Sequence, residues 1–86
     1  MSRNAVDLRQ RMRALIEGRD IACDTSARTW GGRASGEKTC AGCGEPISPG
    51  AVEFEVAIAS VHRTVFFHAA CHAVWLDVCR EAGPNP

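Results

Sequence analysis

Two short stretches hold the residues whose types and spacing could do chemistry: Cys40-Ala-Gly-Cys43 and His68-Ala-Ala-Cys71. A CxxC turn sets two thiolates a few ångströms apart, and an HxxC at a helix start puts an imidazole and a thiolate on one turn. Together they supply the tetrahedral Cys3His donor set of a structural zinc site. Catalytic zinc instead keeps one position open for water beside a general base. The expectation is therefore one structural Zn2+ held by Cys40, Cys43, His68 and Cys71, with no catalytic residue. A redox CxxC belongs at a helix start after a strand, whereas Gly42, Gly44 and Pro46 surround this one. His72 could compete with His68, but a helical neighbour of Cys71 points about 100° away from it.

Positioning these ligands takes a hairpin and a helix. After the Ser48-Pro-Gly50 turn, Val52, Phe54, Val56 and Ile58 alternate with Glu53 and Glu55, the mark of a half-buried strand. The chain then has to reverse around residues 59–63, and a second strand runs from Thr64 to His68. From Ala69 to Ala82 the period becomes helical: Cys71, Val74, Trp75 and Val78 share one face, and Gly83-Pro84 ends the helix. A second stripe, His72, Leu76 and Cys79, is expected to receive an N-terminal helix. That helix is marked by Asn4 as N-cap and by Leu8, Met12, Leu15 and Ile16 at helical spacing, ending near Gly18. Arg9, Arg11 and Arg13 fall on its outer face. Residues 21–39 read as a Gly-rich loop anchored by Trp30, which is expected to pack over the knuckle or the first helix.

The expected organisation is one compact domain: helix 1–20, loop 21–39 and zinc module 40–86. A chain of 86 residues is marginal on its core alone, so some staple is needed. Five cysteines are an odd number for disulfides, and residues 1–20 carry arginines without an apolar run, which points to a reduced, cytoplasmic metal protein. Cys79 then reads as a small core hydrophobe, and Cys23 stays unassigned. No stretch approaches the roughly 18 apolar residues of a membrane span. Net charge is zero overall but uneven. Residues 1–39 hold eight Arg or Lys against five acids, a net +3, and residues 40–86 hold two against five, a net −3. A pI near 6.8 argues against a dedicated nucleic-acid binder.

Cys-x2-Cys-Gly-x-x-Ile-x-x-Gly at residues 40–50 and Phe-His-x-x-Cys-x-x-x-Trp at residues 67–75 resemble the zinc modules of LIM-like and related treble-clef domains. The chain is also similar to small uncharacterised bacterial zinc-finger proteins with an upstream Trp-Gly-Gly loop. It departs from a full LIM domain in lacking a second ligand quartet and in its 24-residue spacer between Cys43 and His68. The resemblance implies an α+β treble-clef-like zinc finger of knuckle, hairpin and C-terminal helix, preceded here by an amphipathic helix. It also implies a non-catalytic interaction module with a protein as partner. The alternative is a nucleic-acid-binding or regulatory finger using Arg9, Arg11, Arg13, Arg28 and Arg33. An HNH-like nuclease shares the layout but would need more than His62 at the turn.

Overall fold

The alternating run from Val52 is the middle strand of the molecule. In the computed structural model, which describes residues 5–81, the chain forms α1 (Ala5–Glu17), β1 (Arg28–Arg33), β2 (Val52–Ile58), a 3-10 turn (Ala59–Val61), β3 (Arg63–His68) and α2 (Ala69–Glu81). The strands make one antiparallel sheet in the order β1-β2-β3, so the fold is a small α+β unit of two helices and three strands. Phe54 pairs with Phe67, and Val56 with Val65. Paired residues share a sheet face, and α2 covers this one. Phe67 stacks on Trp75 with centroids 5.4 Å apart, and Phe54 stacks on His72 at 4.6 Å. Phe67, Val56, Ile58 and Trp75 are each essentially inaccessible to water. The expected N-cap Asn4, and Ala82 with Gly83-Pro84, lie outside the described residues. Among those described, no helix is long and apolar enough to cross a membrane.

The 21–39 stretch, expected as a loop, contains β1, so the expected two-stranded hairpin is a three-stranded sheet. β1 pairs with β2 along its length, from Arg28 opposite Ala57 to Arg33 opposite Val52. All six of its residues are exposed. The strand is thus held at the sheet edge by backbone pairing, with no alternation of apolar residues to announce it. Gly31 lets it approach β2, since a Cβ there would meet the Phe54 ring at 3.1 Å. Trp30 packs over neither the knuckle nor α1. It sits in a row with Glu55 and Phe66 on the sheet face opposite α2, half exposed at 50%.

In α1, Met12 is fully buried, while Leu8, Leu15 and Ile16 are half-buried against the core. The helix ends beside Gly18 as expected, and the left-handed residue that follows is Arg19. The Asp20 amide donates to the Leu15 carbonyl (2.9 Å) and the Arg19 amide to that of Ile16 (3.0 Å), with Arg19 at φ 64. A side chain pays for this left-handed conformation in steric strain of about 1–2 kcal/mol, part of which a glycine gives back through its freer unfolded state. Arg19→Gly should therefore raise stability in urea unfolding by about 0.5–1 kcal/mol. A loss would show that the Arg19 side chain contributes more than its backbone costs.

The helices also meet differently from the expected arrangement. The stripe of His72, Leu76 and Cys79 does not receive α1, because His72 is taken by the Phe54 ring. α1 lies instead along the acidic side of α2, where Arg9 pairs with Asp77 (3.1 Å) and Glu81 (2.7 Å), and Arg13 with Glu81 (2.8 Å). The hydrogen bond from Arg13, assisted by the charge of Arg9, holds the Glu81 carboxyl below its ordinary range.

Burial between the sheet and α2 lowers the pKa of His72 from the ordinary 6.5, and its Nε2 is buried without a hydrogen-bond partner among the described residues. A histidine depressed in this way leaves stability intact above the unfolded pKa, and stability falls as pH drops below about 6.5 because the unfolded chain takes up the proton first. His72→Phe should flatten that acid limb. The measurement is the pH dependence of urea midpoints for both proteins, metal-loaded; parallel limbs would place the sensitivity elsewhere.

Cys79 is no free core thiol. It forms a disulfide with Cys23, 56 residues away in sequence. The same segment is fastened by the Trp75 Nε1–H, which donates to the Ala22 carbonyl (3.2 Å), and by buried Ile21. The odd cysteine count resolves into one bridge plus three free thiols, Cys40, Cys43 and Cys71, and the expectation of wholly reduced cysteines is corrected accordingly.

Candidate metal centre

Backbone bonds shape the knuckle before any metal is considered. The Cys40 amide donates to the Glu45 carbonyl (2.9 Å), the Gly44 amide donates to that of Cys40 (3.0 Å), and Thr39 and Pro46 form an antiparallel bridge. Gly44 takes φ +80 to close the turn. Gly42 is required for a different reason: a Cβ there would stand 3.0 Å from both the Cys71 Cβ and the Met12 methyl. The Ala41 amide then docks the knuckle onto β3 by donating to the Phe66 carbonyl (2.7 Å).

On this frame, ligand atoms of Cys40, Cys43, His68 and Cys71 all lie within 4.8 Å of one another. His68 ends β3 and Cys71 lies in the first turn of α2, so the strand-to-helix junction supplies one pair and the knuckle the other. His68 Nδ1 is 3.4 Å from the Cys43 Sγ and 4.0 Å from the Cys71 Sγ. In a tetrahedral zinc site, bond lengths near 2.0 and 2.3 Å imply N···S edges of about 3.5 Å and S···S edges of about 3.8 Å. The donor set therefore fits one metal ion. Two backbone amides, of Gly42 (3.3 Å) and His68 (3.4 Å), donate to the Cys40 sulfur and stabilise it as a thiolate.

Electrostatics give the same reading. The hydrogen bond from the Cys71 thiol, with help from backbone amides, lowers the Cys40 pKa to about 4. That bond, burial and the charge of neighbouring sulfurs push Cys71 upward. Cys40 and Cys71 compete for a proton until a cation lets both ionise.

The five arginines of the nucleic-acid alternative are dispersed. Arg9 and Arg13 are in ion pairs with α2. Arg28 and Arg33 stand at opposite ends of β1. Arg11, though exposed, lies over the knuckle, and its Nε donates to the Gly42 carbonyl at 2.7 Å, inside the CxxC turn. The signal was present in the sequence: Arg11 falls on the Leu8, Met12, Leu15 side of the helix, three residues from one leucine and four from the other. Arg11→Ala should destabilise the metal-loaded protein by about 1.5–3 kcal/mol, the range for a hydrogen bond to a charged group, as read from urea unfolding. Arg11→Lys should recover only part of this, since an ammonium lacks the planar fork. A shift under 0.5 kcal/mol, the scale of a neutral surface change, would remove Arg11 from the account of the knuckle. His62 lies in the β2–β3 turn, at the far end of the hairpin from the ligands.

Compared with protein-family models, with curated proteins and with solved structures, the chain matches none. The metal centre stands on its own geometry, as a Cys3His cluster able to hold one ion.

Proposed function

We propose that the ion is Zn2+, that the knuckle, hairpin and helix form a treble-clef-like finger around it, and that the protein is a non-catalytic module that binds another protein. The observation that carries the metal reading is the closed donor set: four ligand atoms within 4.8 Å, three of them sulfur. Thiolate-rich tetrahedral sites suit zinc, and four protein ligands serve structure rather than substrate. Two observations favour a protein partner over nucleic acid. Arg9, Arg11 and Arg13 are engaged within the fold, and Trp30 stands half exposed on an edge strand, where an aromatic anchor is available to a partner.

Protein purified without chelator should carry one zinc per chain by elemental analysis and native mass spectrometry. A folded, metal-free chain would overturn the reading. For the partner, metal-loaded protein should capture a specific protein that Trp30→Ala releases without changing its own melting temperature. Retention on heparin that falls steeply with salt would move nucleic acid to the front.

A further inference from the structure

Beside the metal centre, the sheet carries a carboxylate that the fold leaves unanswered. Glu53 is half-buried, and its Oε1 is shut off from water without a hydrogen-bond partner among the described residues. Native folds rarely leave a buried acceptor without a donor. The register limits what it can reach. Glu53 sits in the row Gly32–Glu53–His68, and Gly32 has no side chain, so its cross-strand side-chain neighbour is the His68 imidazole. The Phe66 carbonyl and the His68 amide both point away from β2, the one accepting from the Ala41 amide (2.7 Å) and the other donating to the Cys40 sulfur (3.4 Å). Glu53 and His68 are therefore a non-hydrogen-bonded pair, the kind whose side chains approach most closely, with Cβ atoms about 4.5–5.5 Å apart.

His68 has a donor to match it. The ring nitrogen beside the sulfurs is Nδ1, 3.4 Å from the Cys43 Sγ and 4.0 Å from the Cys71 Sγ, so Nδ1 is the atom that meets an ion, and it must be unprotonated to do so. That fixes the tautomer: the proton of the loaded imidazole stands on Nε2 and needs an acceptor. A carboxylate in this position orients a metal-bound ring and raises its basicity as a ligand. The other polar groups on this sheet face lie one row along. Glu55 is opposite Phe66, and the Lys38 ammonium stands over the Phe66 ring, 5.1 Å from its centroid, without an ion pair to Glu53.

We propose that Glu53 is a positioning residue of the metal centre: its carboxylate accepts the Nε2–H of His68 and holds the ring with Nδ1 turned to the ion. This rests on the zinc reading above, and the test separates the two. Zinc affinity is measured by competition with a chromophoric chelator, and the His68 Nε2–H is followed by imidazole NMR of the zinc-loaded proteins. Wild-type protein should bind one ion and show an Nε2–H protected from exchange with water. Glu53→Ala should weaken zinc binding about 10- to 100-fold and lose that protection. Glu53→Gln, which keeps an acceptor oxygen, should fall between the two in affinity and retain the protected proton. Glu55→Ala, which removes the next acid on the same face, should bind zinc as wild type does. A wild-type chain that takes up no ion overturns the zinc reading and this assignment with it. Where wild type binds one ion, the assignment alone is overturned by unchanged affinity in Glu53→Ala, by an Nε2–H that stays protected without the carboxylate, or by an equal loss in Glu55→Ala. Tighter binding in either Glu53 variant would overturn it too, since the carboxylate would then repel the thiolates more than it supports the ring.

Discussion

Cys40→Ser is expected to abolish the cooperative thermal transition, and stoichiometric chelation of the wild-type protein should do the same. The buried core around Phe67 and Trp75 is small, and the knuckle carrying Cys40 joins it through Gly42, buried Ile47, the Ala41–Phe66 backbone bond, the Arg11–Gly42 bond and the ligands themselves. Binding of a structural zinc ion supplies on the order of 10 kcal/mol, as much as the whole stability of a typical domain. Losing one of three thiolates removes much of that, and it also leaves the Gly42 and His68 amides aimed at a weaker acceptor. Cys71→Ser should behave alike, because Cys71 packs against the same glycine. The measurement is calorimetry of each variant with metal content determined on the same sample. A sharp transition from metal-free protein would mean that the sheet and α2 hold together unaided.

Removing the Cys23–Cys79 bridge is the second large effect. The crosslink spans 56 residues, and the chain-entropy relation gives about 4 kcal/mol for a loop of that length. Cys23→Ala combined with Cys79→Ala should lower the melting temperature by roughly 15–30 °C if each kcal/mol is worth about 4–8 °C in a domain of this size. Metal stoichiometry should stay at one ion per chain, since neither residue is a ligand. This double variant therefore separates the two crosslinks: stability falls while the metal remains. Loss of metal together with stability would show that the bridge holds the ligand frame itself, through α2, and the two effects would not then be independent.

The Cys3His cluster was legible in the sequence because ligand spacing is local. Two residues spaced by two others must lie close whatever the rest of the chain does, and the alternation at Val52–Ile58 and the helical period after Ala69 placed the two pairs within reach. The features that escaped depend on contacts between distant segments. β1 is written in Arg28-Thr-Trp-Gly-Gly-Arg33, with no buried face, and only its pairing with β2 makes it a strand. The pairing of Cys23 with Cys79 needed the 18–27 segment to fold back onto α2, and no spacing rule states that. Arg9 and Arg13 looked solvated because the acids that hold them, Asp77 and Glu81, come some 68 residues later. Trp30 shows the reverse: an indole expected over the knuckle or α1 stands half exposed on the sheet face opposite α2.

An ion on the Cys3His cluster would be nested within the disulfide, residues 40–71 lying wholly within 23–79, and this would favour metallation before oxidation. Five thiols in a newly made chain admit ten different first pairings. Once the ion has taken Cys40, Cys43 and Cys71, only Cys23 and Cys79 remain for an oxidant to join. The ion would then act as a protecting group for thiols and leave one disulfide to form. Oxidation before metallation would open the nine other pairings and strand the chain in forms that cannot take up the ion.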